Sequence, residues 1–210
     1  MPTRFSALPA AALAGLLSLA ACAGHEEARI GSIAEIHPTP AHYSLCHGNG
    51  CRLHTDISLS TAEWQGVRAI FTPPATDAVV ERKQISLAVG RLEILAGRQA
   101  GTLDDAPGMG VHWEEDGQLD CVDETVNTTQ DLRMFAADGL LRFHHAGAPG
   151  HRFVLSAWGP SNTATVIENA TGKVYAVDSY FLANGEPASV VPLDLWVAGW
   201  VPEDGPPPAS

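Results

Sequence analysis

Basic residues are scarce in this chain of 210 residues, where 12 Lys and Arg stand against 24 Asp and Glu and give a formal net charge of −12. A surface of this sign repels nucleic-acid phosphates and anionic lipid headgroups. Nucleic acid is therefore not expected as a partner. The chain also has no internal repeat, which excludes solenoid and propeller architectures.

The chain lacks an apolar run long enough for a comfortable membrane span. The run from Ala10 to Ala20 is short and Ala-rich and follows the basic Arg4, which is typical of an export signal over residues 1–21. It ends in Leu19-Ala20-Ala21-Cys22, which resembles the bacterial lipobox. Cleavage before Cys22 is expected, with diacylglycerol on its sulfur and a palmitate-type acyl group on the new amino terminus. An ordinary secretory signal, with Cys22 lost or incidental, is the alternative.

Lipidation of Cys22 predicts a lipoprotein of the bacterial cell envelope, held to a membrane by its acyl chains and facing the periplasm in a Gram-negative cell. Residues 22–41 have little hydrophobic periodicity and predict a flexible tether. The Pro-rich residues 202–210 predict a disordered tail. Residues 42–201 between them are enough for one domain with a single core.

The number of cysteines left after Cys22 is odd, which leaves one thiol over in an oxidising compartment. Four residues separate Cys46 from Cys51. Gly48 and Gly50 allow the sharp backbone of so small a ring, so the preferred interpretation is a local disulfide between these two cysteines. Cys121 is then the free thiol.

A metal-binding alternative remains for the same segment. His42, Cys46, Cys51 and His54 form a possible ligand set for zinc or copper. The segment lacks the Cys-x-x-Cys-His pattern, which excludes c-type haem attachment. The preferred interpretation assigns no metal and no cofactor.

Cys121 lies at the start of a predicted helix that begins at Asp120 or Cys121 and ends near Asp138, with Gly139 as its C-terminal cap. Unpaired backbone N–H groups and the helix dipole at this end favour the thiolate and lower the pKa of a thiol. This placement predicts a nucleophile. The alternative is a small buried side chain that fills a contact between helix and sheet.

Helices are predicted before Cys121 and strands after it. A capping box at residues 60–63 begins one helix, which Pro73 and Pro74 stop, and a second helix begins near Thr76 or Asp77. Period-two β-formers predict antiparallel strands over 140–144, 152–158, 162–168 and 173–180. The predicted class is α+β, with N-terminal helices and a central Cys-bearing helix packed on an antiparallel sheet of four to six strands.

The turn from Asn169 to Gly172 sets the register of the last two of these strands. Pairing Asn169 with Gly172 places Asp178 opposite Thr163. Val190 and Val191 close the sheet, and Pro192 begins a short helix.

Two segments resemble a known family. Leu119-Asp-Cys121-Val-Asp-Glu124 and Tyr175-Ala-Val-Asp178-Ser-Tyr-Phe181 look like the Cys motif and the Asp strand of the transglutaminase-like branch of the papain-like thiol enzymes. The whole mature chain also resembles uncharacterised bacterial secreted proteins and lipoproteins that share the Cys-His-Gly-x-Gly-Cys and Gln-Leu-Asp-Cys segments. The resemblance implies that Cys121 is the nucleophile, that Asp178 orients a base, and that a backbone N–H and Gln118 stabilise an oxyanion.

The family's histidine is missing from its expected position. It occupies the start of the strand before the Asp strand, where this chain has Ser161 and Asn162, and neither side chain accepts a proton near neutral pH. Other histidines could serve as the base, namely His144, His145 and His151, and less directly the loop residue His112.

Three functions therefore stay open. The first is a tethered thiol enzyme acting on amide bonds in the envelope, impaired by the missing histidine. The second is a non-enzymatic binding or scaffolding lipoprotein with a peptide or protein partner. The third is a metal-handling lipoprotein that uses residues 42–54.

Overall fold

The structure is a computed structural model that describes residues 29–108, 115–153 and 160–204. Within these ranges helices combine with strands that pair only antiparallel, so the predicted α+β class is confirmed. In chain order the elements are α1 (residues 29–33), β1 (Tyr43–His47), β2 (Leu53–Ile57), α2 (Thr61–Ile70), α3 (Ala78–Ala100), α4 (Cys121–Ala137), β3 (His144–Ala146), β4 (Gly150–Arg152), β5 (Ser161–Glu168), β6 (Val174–Asp178), β7 (Ser189–Pro192), α5 (Leu193–Val197) and a 3₁₀ turn (Pro202–Asp204).

Residues 29–41 pack against the domain. Ile30 and Ala34 are buried in an apolar cluster with the first turns of α4. Arg133 of α4 donates from Nη1 to the carbonyl oxygen of Ala34 at 3.0 Å. The prediction of a flexible tether over 22–41 is therefore wrong for residues 29–41, because burial of these apolar side chains offsets the entropy lost on ordering.

β1 and β2 form an antiparallel hairpin in which Cys46 lies opposite His54. Asn127 of α4 binds the free edge of β1, accepting from the Cys46 N–H at 2.8 Å and donating to the Cys46 carbonyl at 2.9 Å. These two bonds satisfy the backbone N–H and C=O of Cys46 on this buried strand edge. They also hold the hairpin against the helix that carries Cys121.

α2 and α3 begin where their capping residues predict. Ser60 and Glu63 form the capping box of α2, in which the Ser60 N–H donates to Glu63 Oε2 at 2.8 Å. Asp77 caps α3 by accepting from the Val80 N–H at 2.9 Å. Gly101, with φ of 77°, ends α3 in the left-handed conformation. Both predicted starting points are confirmed.

Gly90 of α3 is in close contact with the chain near Glu186. A Cβ atom built on Gly90 would lie 2.5 Å from the Glu186 carbonyl oxygen. We expect Gly90→Ala to lower the free energy of unfolding by about 1–3 kcal/mol in urea titrations, because the backbone must move to admit the methyl group. Gly66 of α2 is a matched control, since its added Cβ meets nothing within 4 Å, and Gly66→Ala should raise stability by about 0.5–1 kcal/mol. Equal stabilities of the two variants would contradict this packing.

β5 is the central strand of the main sheet. β3 and β4 pair with one edge of it and β6 with the other, and β7 completes the sheet of five strands. Ala164 pairs with Val177 and Ile167 pairs with Val174, which is the register that the turn predicts. The predicted strand number and the predicted register are both confirmed.

The first predicted strand of this sheet is displaced. The prediction of a strand over 140–144 is wrong apart from its last residue, since β3 begins at His144. The carboxylate of Glu81 in α3 accepts from the backbone N–H groups of Arg142 at 2.6 Å, Phe143 at 2.9 Å and His144 at 2.9 Å. Because this buried carboxylate uses the amides, they are not available to a strand ladder.

The second predicted strand, 152–158, is described only at its beginning. Arg152 ends β4, Phe153 lies outside any strand, and residues 154–159 lie outside the described part of the chain. β4 instead begins two residues earlier, at Gly150, where it pairs with Thr163 of β5.

The C-terminal elements follow the predicted order. Pro192 precedes α5, whose Trp196 is fully buried against the sheet. Residues 202–204 form a 3₁₀ turn, so the predicted disorder is wrong there, and residues 205–210 lie outside the described part. None of the described helices has the length and apolar character needed to cross a membrane. The predicted signal over 1–21, Cys22 and residues 23–28 are also outside the described ranges.

Candidate functional site

Cys121 is the first residue of α4 and carries a free, partly buried thiol. Asp120 caps the helix by accepting from the N–H groups of Val122 and Asp123, each at 2.9 Å. Asp123 reaches back to accept from the Asp120 N–H at 3.1 Å, which completes a capping box. The predicted position of the thiol at the helix start is confirmed.

The Gly-rich loop of the hairpin covers this helix end. Its backbone N–H groups donate to the two capping carboxylates, from Asn49 and Cys51 to Asp123 at 2.8 and 2.6 Å and from Gly50 to Asp120 at 2.8 Å. Residues 48–51 all have positive φ, between 58° and 73°. This left-handed run turns successive amides towards one side, which makes an anion-binding concavity. The anions it holds are the carboxylates beside Cys121.

The electrostatic environment of Cys121 is the reverse of the one predicted. Burial and the charge of Asp120 raise the pKa of the thiol, and hydrogen bonds from Asn162 and Ser161 only partly oppose them. The expectation of a lowered pKa rested on the helix dipole and allowed for a modest opposing effect of Asp123 and Glu124, whereas burial and the charge of Asp120 outweigh the dipole. At neutral pH the thiol is protonated, and a protonated thiol is a poor nucleophile.

Ser161 and Asn162 lie beside the thiol, in the region where the family resemblance places a histidine. Asn162 Nδ2 is 3.7 Å from Cys121 Sγ, within the range of a weak hydrogen bond to sulfur. Ser161 is 1 % exposed. Ser161 and Asn162, which stand where the resemblance implies a histidine, therefore both lie beside Cys121.

His151 is the candidate base that comes nearest to this pair. It lies opposite Asn162 across the β4–β5 ladder, and its Nδ1 is 2.8 Å from Asn162 Oδ1. The imidazole thus contacts the side chain that contacts the thiol. An amide cannot carry a proton between them, since neither its oxygen nor its nitrogen titrates near neutral pH.

His144 and His145 lie near the opposite end of β5, where they pair with Glu168 and Ile167. His144 is buried, and its Nδ1 is 2.9 Å from Glu81 Oε1. His145 is exposed, with Nδ1 2.7 Å from Asn169 Oδ1. The structure does not bring either ring to Cys121. The fourth histidine considered, His112, lies outside the described residues.

Asp178 is buried and already holds two donors. It accepts from the indole Nε1–H of Trp196 and from the Tyr180 N–H at 3.0 Å. Burial raises the pKa of Asp178 to about 6 in spite of these bonds. In the described residues its carboxylate contacts no histidine, so the base-orienting contact that the resemblance implies is replaced by a contact to Trp196.

The alternation of β5 and β6 explains this arrangement. Ala164 and Val177 belong to the core that contains α4, whereas Ala176 packs with Trp196 on the other face of the sheet. Asp178 is two residues from Ala176 and so shares its face, while Asn162 shares the face of Ala164. The side chains of Asp178 and Asn162 therefore point to opposite sides of the sheet.

Arg152 of β4 is a site residue that the sequence analysis missed. It is fully buried, pairs with Ser161, and donates from Nη1 to the carbonyls of Trp196 at 3.1 Å and Trp200 at 3.0 Å. Burial lowers the pKa of Arg152, and the charges of Asp178 and Cys121 oppose that shift. A guanidinium, which does not release its proton at neutral pH, therefore lies in the neighbourhood of both predicted catalytic residues. The sequence does contain a signal for this residue, namely an arginine at an inward position of a segment rich in β-forming residues.

The side chain of Gln118 is committed elsewhere. Its Oε1 accepts from the Ala106 N–H and its Nε2 donates to the Asp104 carbonyl, both at 3.0 Å. These bonds tie the segment before α4 to the loop that follows α3. The predicted oxyanion role of Gln118 stays a prediction, and both ends of its amide are engaged in loop structure.

The predicted disulfide between Cys46 and Cys51 is present, with the two Cα atoms 4.7 Å apart. The sulfurs and the His54 ring lie close together, and His54 Nδ1 is 3.9 Å from Cys46 Sγ. His42, the fourth member of the alternative ligand set, lies outside this group and bonds with Thr39.

Five carboxyl groups are buried together behind the Cys121 helix, which the sequence analysis also missed. They belong to Glu93, Asp105, Asp123, Glu124 and Asp131, and burial raises the pKa of each, to about 7 for the first three. Among the described residues none of them forms an ion pair with Lys or Arg. A cavity of about 20 Å³, which is room for one water, lies between three of them.

No family model matches this chain, and neither a curated protein nor a solved structure matches it. The candidate function therefore rests on the residues of the chain and on the geometry around Cys121.

Proposed function

We propose that the chain is a lipid-anchored protein of the bacterial envelope whose transglutaminase-like Cys site serves binding or scaffolding and has lost hydrolysis. The observation that carries the proposal is the amide of Asn162 at 3.7 Å from Cys121 Sγ. Thiol hydrolases place a proton-accepting imidazole in contact with the sulfur. An amide in that place can hold a ligand by hydrogen bonds but cannot activate the thiol.

The electrostatics of the site support the same function. The capping carboxylate of Asp120 occupies the helix amides of Val122 and Asp123, which could otherwise stabilise a thiolate or an oxyanion. The raised pKa keeps Cys121 uncharged near neutral pH. Both effects oppose nucleophilic attack at the sulfur.

Packing beside Asn162 supports it as well. The space between Glu124 of α4 and the residues Asn162 and Ser179 has no room for a water molecule. The Asp178 carboxylate bonds with Trp196 on the other face of the sheet, so an imidazole in contact with Cys121 would have to reach through the sheet to be oriented by Asp178. A partner would instead contact the partly exposed Cys121 and its polar neighbours from outside the core.

The envelope location and the anchor remain proposals drawn from Cys22 and its lipobox-like context. The net charge of −12 leaves the acyl chains, and not the surface charge, to hold the protein on an anionic bilayer. A peptide or protein in the envelope is the expected partner.

The test is the pH dependence of Cys121 alkylation by iodoacetamide, on the full chain carrying Cys22→Ser with the Cys46–Cys51 disulfide intact. We expect a midpoint above the free-thiol value of about 8.5, because burial and Asp120 disfavour the thiolate. The same midpoint is expected for His151→Gln. The urea-unfolded chain, in which the environment is lost, should return to the free-thiol value.

A different result would support the enzyme. If the midpoint lies well below about 8.5 and His151→Gln removes that shift, His151 reaches the thiol in solution and acts as its base. The non-hydrolytic proposal would then be wrong.

A further inference from the structure

Three side chains of the β1–β2 hairpin bring two sulfurs and an imidazole together. The ligand atoms of Cys46, Cys51 and His54 all lie within 4.8 Å of one another. Zinc binds sulfur at about 2.3 Å and imidazole nitrogen at about 2.0 Å, so ligands on opposite sides of one ion are about 4.3–4.6 Å apart. The three atoms are therefore spaced closely enough, within a few tenths of an ångström, to share one ion.

We propose that this group binds one thiophilic metal ion, Zn²⁺ or Cu⁺, when the disulfide is reduced. Two electrons and two protons from a dithiol convert the Cys46–Cys51 bond into two thiols, and the dithiol becomes its own cyclic disulfide. The metal then displaces a proton from each thiol, while His54 binds as the neutral imidazole. A disulfide oxidant reverses the sequence: it takes two electrons from the two thiolates and two protons from water to become a dithiol, the Cys46–Cys51 bond forms again, and the ion is released.

The chemistry of the ligand set selects the ion. Two thiolates and an imidazole suit Zn²⁺ and Cu⁺, whereas Mg²⁺ and Ca²⁺ prefer oxygen ligands. Three protein ligands also leave a fourth position open on zinc. The carboxylate of Asp120, which accepts from the Gly50 N–H of the loop, adds negative charge nearby and favours a cation.

The hairpin keeps these ligands in place without the S–S bond. Cys46 and His54 are paired across the β1–β2 ladder. The backbone of Cys51 is held by its N–H bond to Asp123 at 2.6 Å, and Gly48 donates to the Gln118 carbonyl at 3.2 Å. Since none of these contacts involves sulfur, reduction frees two thiols that are already positioned, which lowers the entropy cost of binding.

His42 supplies the matched control. It is exposed, it bonds with Thr39 outside the ligand group, and it precedes β1. His54 is also exposed and lies within the group. Replacing either histidine therefore removes an exposed imidazole, and only one of the two replacements removes a ligand.

The experiment titrates Zn²⁺ and, without oxygen, Cu⁺ into the full chain against a chromophoric chelator. All variants carry Cys22→Ser and Cys121→Ser, so that only Cys46 and Cys51 supply sulfur. The chain is reduced with dithiothreitol, freed of it by gel filtration, and compared with its oxidised form. We expect one equivalent of metal on the reduced chain and none on the oxidised chain, with the tighter of the two ions identifying the preferred metal.

In the same background His54→Ala is expected to weaken binding at least about tenfold, since even loss of an outer-shell partner typically costs 10–100-fold. His42→Ala should bind as the parent does. Equal binding by the reduced and oxidised chains, or by the His54→Ala and His42→Ala variants, would overturn the proposal. Far-UV circular dichroism of the reduced chain completes the test, because a chain that unfolds on reduction would also overturn it.

Discussion

The Asn162→His variant is expected to alkylate at Cys121 about 10- to 100-fold faster than the parent chain at pH 7. Asn162 Nδ2 lies 3.7 Å from the sulfur, so an imidazole at this position can contact it. An opposite charge at this range typically lowers a pKa by about 1–3 units, and each unit raises the thiolate fraction tenfold while that fraction is small. The measurement is the iodoacetamide rate between pH 5 and 10.

Asn162→Gln is the matched control for that variant. It enlarges the side chain without adding a group that titrates, and its alkylation rate should remain near that of the parent. Urea midpoints of the two variants should agree, which separates activation of the thiol from loosening of the fold. Equal alkylation rates for Asn162→His and Asn162→Gln would show that position 162 does not control the thiol, and the proposed loss of a base there would fail.

The free energy of unfolding is expected to fall by at least about 3 kcal/mol between pH 5 and pH 8. Burial raises the pKa of Asp105, Glu93 and Asp123 to about 7 in the folded chain, whereas unfolded carboxyl groups titrate near 4. A raised carboxyl pKa stabilises the folded chain fully below about pH 4, and this contribution is lost as the pH rises through about 7. One such group accounts for about 2–3 kcal/mol over this range.

Asp178 acts in the same direction over a lower range, since its pKa is raised to about 6. The shifts are not additive, because the carboxyl groups repel one another and share protons. Urea titrations at pH 5, 6.5 and 8 give the slope of the free energy of unfolding against pH. Its value at each pH reports how many more protons the folded chain binds than the unfolded chain.

Asp131→Asn is expected to reduce this slope and to stabilise the chain at pH 8. Asp131 is 5 % exposed, and burial together with the charge of Glu93 raises its pKa well above the usual range. The amide removes a group that must either take up a proton or bury a charge at this pH, and it preserves the shape of the side chain. The exposed Glu186 provides a control, because Glu186→Gln should leave the slope unchanged. A slope that is the same in Asp131→Asn and the parent would exclude Asp131 from the buried group.

Local features of the sequence predicted local structure well. Ser60, Asp77 and Asp120 cap their helices where expected, because a cap depends on contacts within a few residues. The register of β5 and β6 follows from a short turn for the same reason. The disulfide of Cys46 and Cys51 is likewise a contact between close neighbours in the chain.

The segments whose structure was predicted wrongly are those that contact residues distant in the sequence. Residues 29–41 are ordered by α4, about a hundred residues later, and not by a pattern of their own. Glu81 takes the amides of residues 142–144 from a predicted strand. Such contacts depend on which elements meet in the core. Helical or strand periodicity carries no information about which elements those are.

The sequence by itself determined the α+β class, the helix starts, the strand register and the place of Cys121 at the head of its helix. It also showed that Ser161 and Asn162 stand where the family resemblance places a histidine. Only the tertiary structure decided what else surrounds the thiol: an amide at 3.7 Å and a buried guanidinium. The reason is physical, because the pKa of a thiol depends on burial and on the groups that folding brings near it from distant parts of the chain.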